Sequence, residues 1–119
     1  MKSGPENEHI IDLARFLRKQ SVEHKAPIWR RIADDLTAPR RNKIEVNISK
    51  LARLSQDGKV ILVAGKVLGS GRIDKKVEVA AVAFSKTARE MITKAGGKCL
   101  EIKQVVESKP TGNGVHLVK

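Results

Sequence analysis

The chain has 119 residues, 40% apolar and 31% charged, which is enough apolar content for one core and argues against a wholly disordered chain. Its 24 Lys and Arg against 13 Asp and Glu give a formal charge of +11 and a pI near 10.2, a balance that predicts a polyanionic partner. A single cysteine, Cys99, excludes an intrachain disulfide and a four-cysteine zinc site, and no segment approaches the roughly 18 to 20 apolar residues of a membrane span.

The amino terminus lacks the apolar run of a signal peptide, so the expectation is a soluble cytoplasmic protein. Divided after Lys59, the chain has 13 basic and 8 acidic residues in the first part and 11 and 5 in the second. Charge is therefore even along the sequence, which predicts a folded body coated in cations rather than a basic arm.

Ile10, Leu13, Ala14 and Leu17 recur at i, i+3, i+4 and i+7 and predict an amphipathic helix running to about His24. Its outer face carries Arg15, Arg18 and Lys19, and the like-charged Arg15 and Lys19 stand four apart, an arrangement that favours a nearby anion. Pro27 suits the first position of a second helix with Trp29, Ile32, Ala33 and Leu36 inward. Arg30 with Asp34 and Arg31 with Asp35 are spaced for local ion pairs. The helix is expected to end before Pro39, where Pro39-Arg40-Arg41-Asn42-Lys43 reads as an extended loop projecting three cations.

Ile44, Val46 and Ile48 alternate with polar residues as in a half-buried strand, and a short helical turn follows, capped by Ser49, with Leu51 and Leu54 inward. Asp57-Gly58 reads as a turn into Val60–Ala64, an unbroken apolar run that suits a strand covered on both faces. Gly65 to Arg72 reads as a glycine-rich connection and Val77 to Phe84 as the next strand. Ser85 is placed to cap a helix with Ala88, Met91, Ile92 and Ala95 inward, ended by Gly96-Gly97. A brief strand over Cys99 to Ile102, a helical turn through Val105 and Val106, a turn at Thr111-Gly112-Asn113-Gly114 and a strand over Val115 to Val118 complete the chain.

Gly65, Gly69 and Gly71 lack the spacing of a phosphate-binding nucleotide loop, and the segment after them is strand-like, so a basic hairpin-like loop touching RNA phosphates is the preferred reading. His9, His24 and His116 are isolated, which argues against a metal site. Cys99 has no histidine near it in sequence and reads as a small buried thiol. Asp34 and Asp35 diverge on their helix and do not form a catalytic pair. Phe16, Trp29 and Phe84 are the only aromatic residues and all fall at expected core positions, so base stacking cannot be the main mode of binding. A small enzyme or nucleotide-dependent regulator acting on RNA is the rival reading, and its required constellation of residues is missing.

Asn47-Ile48-Ser49-Lys50-Leu51, Gly65-Lys66-Val67-Leu68-Gly69-Ser70-Gly71, Val79-Ala80-Ala81 with Phe84-Ser85 and Ala88-Arg89-Glu90, and Lys94-Ala95-Gly96-Gly97 resemble, in order, the L-eighteen-e family of large-subunit ribosomal proteins. The resemblance covers essentially the whole chain, and the short length is similar to the archaeal form. It implies an α/β fold related to the bacterial L-fifteen protein: a single domain with amino-terminal helices followed by irregular β-β-α units. The expected division is a helical, basic amino-terminal part at about 7–43 and a mixed body at about 44–119.

The resemblance further implies a non-catalytic structural constituent of the large ribosomal subunit. Its expected partners are large-subunit ribosomal RNA and neighbouring ribosomal proteins, with no cofactor, metal, membrane or small-molecule substrate. The candidate RNA-contacting cations are Arg15, Arg18, Lys19, Arg30, Arg31, Arg40, Arg41, Lys43, Lys50, Arg53, Lys66, Arg72, Lys75 and Lys76.

Overall fold

The computed structural model describes residues 5–38, 44–55 and 59–118, with side chains from residue 9 onward. Helix α1 (Pro5–His24) begins earlier than the apolar period suggests, because proline is compatible with a first helical position while the polar residues after it carry no periodicity to read. Lys25, in the left-handed region at φ 51°, and Ala26 link it to α2 (Pro27–Thr37). The link is closed by the Ala26 N–H donating to the Ser21 carbonyl at 3.0 Å and by Ser21 Oγ donating to the Ala26 carbonyl at 2.8 Å. Trp29, Ile32, Ala33 and Leu36 are buried on α2, as their spacing predicts.

Five strands form one all-parallel sheet: β1 (Glu45–Asn47), β2 (Val60–Leu68), β3 (Glu78–Phe84), β4 (Lys98–Glu101) and β5 (Val115–Val118). The path is β1-β2-β3-β4, and β5 also pairs with β2. β5 lies along Val60–Val63 and β1 along Lys66–Leu68, so two short strands divide the length of one long neighbour. The division falls at Gly65, beside a register shift between Val63 and Lys66. There the Lys66 N–H donates to the Ile44 carbonyl at 3.1 Å, and a Cβ on Gly65 would collide with that same carbonyl oxygen.

Alternate residues of β2 feed two cores. Val60, Leu62 and Ala64 pack with α1, α2 and α5 (Ile102–Ser108). Ile61, Val63 and Val67 pack with α3 (Ile48–Leu54) and α4 (Lys86–Lys94). The fold is therefore a three-layer α/β/α domain with helices on both faces, the arrangement that an all-parallel sheet requires.

Several sequence expectations hold in detail. Ser85 Oγ accepts the Ala88 N–H at 3.1 Å and caps α4. At its other end Gly97 N–H donates to the Ile92 carbonyl and Gly96 N–H to the Thr93 carbonyl, with Gly96 at φ 87°, which is the left-handed glycine termination.

Others are corrected. Ile48 is the first residue of α3 rather than a strand residue, and Asn47, not Ser49, takes the N-cap position. Leu54 is 37% exposed, because successive steps of three residues drift by about 60° and carry it off the face that buries Ile48 and Leu51. The strand expected from Val77 begins at Glu78, and Ile102 opens α5 instead of closing β4. Gly65 to Leu68 lies within β2, so the glycine-rich connection, expected at Gly65 to Arg72, instead occupies residues 69–77.

This connection is not hairpin-like, because β2 and β3 are parallel and the chain must return along the whole sheet. Nine residues must cover about 26 Å, the length of a nine-residue strand, whereas as a helix they would span about 14 Å. The crossover is accordingly extended and non-helical, with Ile73 packed on the α3 and α4 core. The expected Pro39–Lys43 loop and Asp57-Gly58 turn lie outside the described residues.

Candidate nucleic-acid interface

On the α1 and α2 side the candidate cations are partly engaged within the protein. Arg18 Nη2 donates to Asp34 Oδ1 at 3.3 Å and to Thr37 Oγ1 at 3.0 Å, tying α1 to α2. This replaces the expected Arg30 to Asp34 pair, and neither Arg30 nor Arg31 forms an ion pair among the described residues. Arg15 lies 4.0 Å from Asp12 one turn earlier, a pair with both side chains over 70% exposed. Such exposed pairs contribute little stability. Lys19, Arg30 and Arg31 are exposed, and Ile11 and Val22, 51% and 79% exposed, lie on the same outer side of α1.

On the opposite face of the sheet Lys50 and Arg53 lie on α3, and Arg72, Lys75 and Lys76 are exposed on the crossover. The crossover is held close to both flanking helices. A Cβ on Gly69 would lie 2.7 Å from the Ala88 nitrogen, and one on Gly71 would lie 2.7 Å from Ser49 Cβ. These two contacts join α3, the crossover and α4 into one surface. Lys66 is exposed on β2 opposite Glu45 of β1, while Arg40, Arg41 and Lys43 lie outside the described residues.

The sequence matches, over residues 4–119, the family described as Ribosomal protein 60S L18 and 50S L18e. The chain belongs to the L18 and L18e family. Among curated relatives it is 44% identical to Large ribosomal subunit protein eL18 of Methanothermobacter thermautotrophicus, covering 95% of this chain and 93% of the relative. It is 42% identical to that of Methanopyrus kandleri, covering 98% and 96%, and 40% identical to that of Archaeoglobus fulgidus, covering 94% and 96%.

In this L18e-family chain three cations of α4, Lys86, Arg89 and Lys94, are absent from the sequence-based candidates. The sequence itself places them off the helical face of Ala88 and Ile92, where the apolar stripe lies. Trp29 is fully buried and donates its indole N–H to the Pro110 carbonyl at 2.7 Å, which removes it from any stacking role. Phe16 and Phe84, expected in the core, are only half-buried, and each has a cation over its ring, Lys103 at 5.4 Å and Arg89 at 5.2 Å from the centroid.

Cys99, expected to be buried, is half-buried on β4. Burial pushes its thiol pKa up, and the charge of Arg89 offsets part of that rise. Among the described residues no charged or polar residue is buried, no group of His, Cys, Asp or Glu is arranged to hold a metal ion, and no helix is long and apolar enough to cross a membrane.

Proposed function

We propose that the chain is a structural, non-catalytic constituent of the large ribosomal subunit in the cytoplasm. In this reading residues 1–119 act as one ribosomal domain, the helical part at about 7–43 packed on the mixed body at about 44–119. The domain binds folded ribosomal RNA by charge and shape and abuts neighbouring large-subunit proteins. The observation that carries the reading is end-to-end membership of the L18 and L18e family in a chain of charge +11. The aromatic side chains support the mode of binding: Trp29 is buried and the two phenylalanines are half-covered, which leaves Lys and Arg to meet phosphate and sugar.

Each phosphate neutralised releases counterions, so affinity should fall steeply with salt. With the duplex-DNA value of about 0.9 per phosphate, six contacts give a log-log slope of about 5. Filter binding of the purified protein to large-subunit ribosomal RNA between 50 and 300 mM salt measures it; a slope near zero overturns the reading.

A further inference from the structure

We infer that the RNA-facing surface is the layer made by α3, the crossover at residues 69–77 and α4, and that the layer of α1, α2 and α5 faces away from the nucleic acid. The inference rests on the ribosomal RNA-binding reading and assigns that binding to one face of the molecule.

The two layers cover opposite faces of the sheet, and their charge differs sharply. Residues 9–24 of α1 together with α2 and α5 carry six Lys and Arg against five Asp and Glu, a net charge of +1. α3, the crossover and α4 carry eight Lys and Arg against two Asp and Glu, a net charge of +6 over fewer residues. Both ion pairs found among the described residues, Arg15 with Asp12 and Arg18 with Asp34, belong to the first layer. In the second layer Arg53, Arg72, Lys75, Lys76, Lys86 and Lys94 are exposed, and none forms an ion pair among the described residues.

Six like charges on one face repel one another, and among the described residues no ion pair to any of the six relieves that repulsion. A polyanion laid across the face does. The α1 surface, by contrast, carries exposed Ile11 and Val22 as well as the paired Arg15 and Asp12, a mixture that gives a phosphate chain little to bind. The extended crossover suits the partner as well: it lies close against α3 at Gly71 and α4 at Gly69, so its cations are presented between two helices.

The test compares two sets of substitutions in the full-length protein with large-subunit ribosomal RNA as the probe. The crossover set is Arg72→Gln, Lys75→Gln and Lys76→Gln; the helical set is Lys19→Gln, Arg30→Gln and Arg31→Gln. All six side chains are exposed, and circular dichroism with Trp29 fluorescence verifies the fold. Loss of three phosphate contacts lowers the salt slope by about 2.7 and weakens binding roughly 100-fold near 0.15 M salt.

The expected result is this loss for the crossover set and less than a threefold change for the helical set. A third variant, Arg53→Gln with Lys86→Gln and Lys94→Gln, is expected to weaken binding to a similar degree from the flanking helices. Equal losses in the crossover and helical sets, loss in the helical set alone, or no loss in either overturns the assignment of the face. Failure of the unsubstituted protein to bind ribosomal RNA overturns instead the reading on which it rests.

Discussion

Replacing Gly65 with alanine puts a methyl group at the point where two short strands share the edge of β2. The added Cβ would meet the Ile44 carbonyl oxygen and would lie 2.7 Å from both Ile44 Cβ and Ile44 Cγ2. Backbone cannot swing aside as a side-chain tip can, so β1 has to move away from β2. Overpacking of this kind costs about 1 to 3 kcal/mol. Displacement of Ile44 also breaks the bond from the Lys66 N–H, worth about another 1 kcal/mol. A total of roughly 2 to 4 kcal/mol is a large share of the 5 to 15 kcal/mol typical of a domain, and it lowers Tm by roughly 10 °C.

Thermal and urea unfolding followed by the fluorescence of Trp29, the only tryptophan, measures the loss. Truncating Ile44 to alanine in the same chain should recover only part of it, since the carbonyl oxygen stays in place. A Gly65→Ala protein within 0.5 kcal/mol of the parent, or full recovery in the double variant, refutes the close-approach argument.

Trp29→Phe removes the indole donor to Pro110 and leaves a small cavity in a fully buried site, so urea unfolding followed by circular dichroism should show a loss of about 1 to 3 kcal/mol; no change in midpoint would mean that the bond and the packing contribute nothing. Burial raises the Cys99 pKa, so the folded state holds this proton more tightly than the unfolded chain does. Its stability contribution is therefore intact below the unfolded value of about 8.5 and is lost as pH rises through the window above it. Iodoacetamide at pH 8.5 should accordingly alkylate Cys99 more slowly in the native protein than in urea, and equal rates would contradict the burial argument.

Local rules made much of the fold legible. Pro27 and Ser85 start their helices, Gly96-Gly97 ends one, and the i, i+3, i+4 stripes bury Leu13, Ala14 and Leu17 on α1, all four residues singled out on α2, and Ala88 and Ile92 on α4, with Ile10, Met91 and Ala95 half-buried beside them. The apolar run from Val60 likewise marks a strand covered on both faces. What failed to show was non-local. Whether Gly65 to Leu68 is loop or strand depends on β1, which comes from a distant part of the chain to pair with it. The direction of β3 relative to β2, and hence the nature of residues 69–77, is set by pairing across the sheet rather than by any residue in the connection. The partners of Asp34 show the same limit: helical spacing points to Arg30, yet the neighbouring helix supplies Arg18.

Charge is the clearest case of this dependence on topology. Along the sequence it divides into +5 and +6, and this even balance does not single out a face. The chain, however, places α1 and α2 on one face of the sheet, α3, the crossover and α4 on the other, and then returns to the first face with α5. This path sorts an even sequence into unequal surfaces. Parity along β2 is what sorts it, since Leu62 and Val63 are adjacent in sequence and point into different cores. Unequal charge on the two faces of the sheet is thus a product of topology rather than of composition.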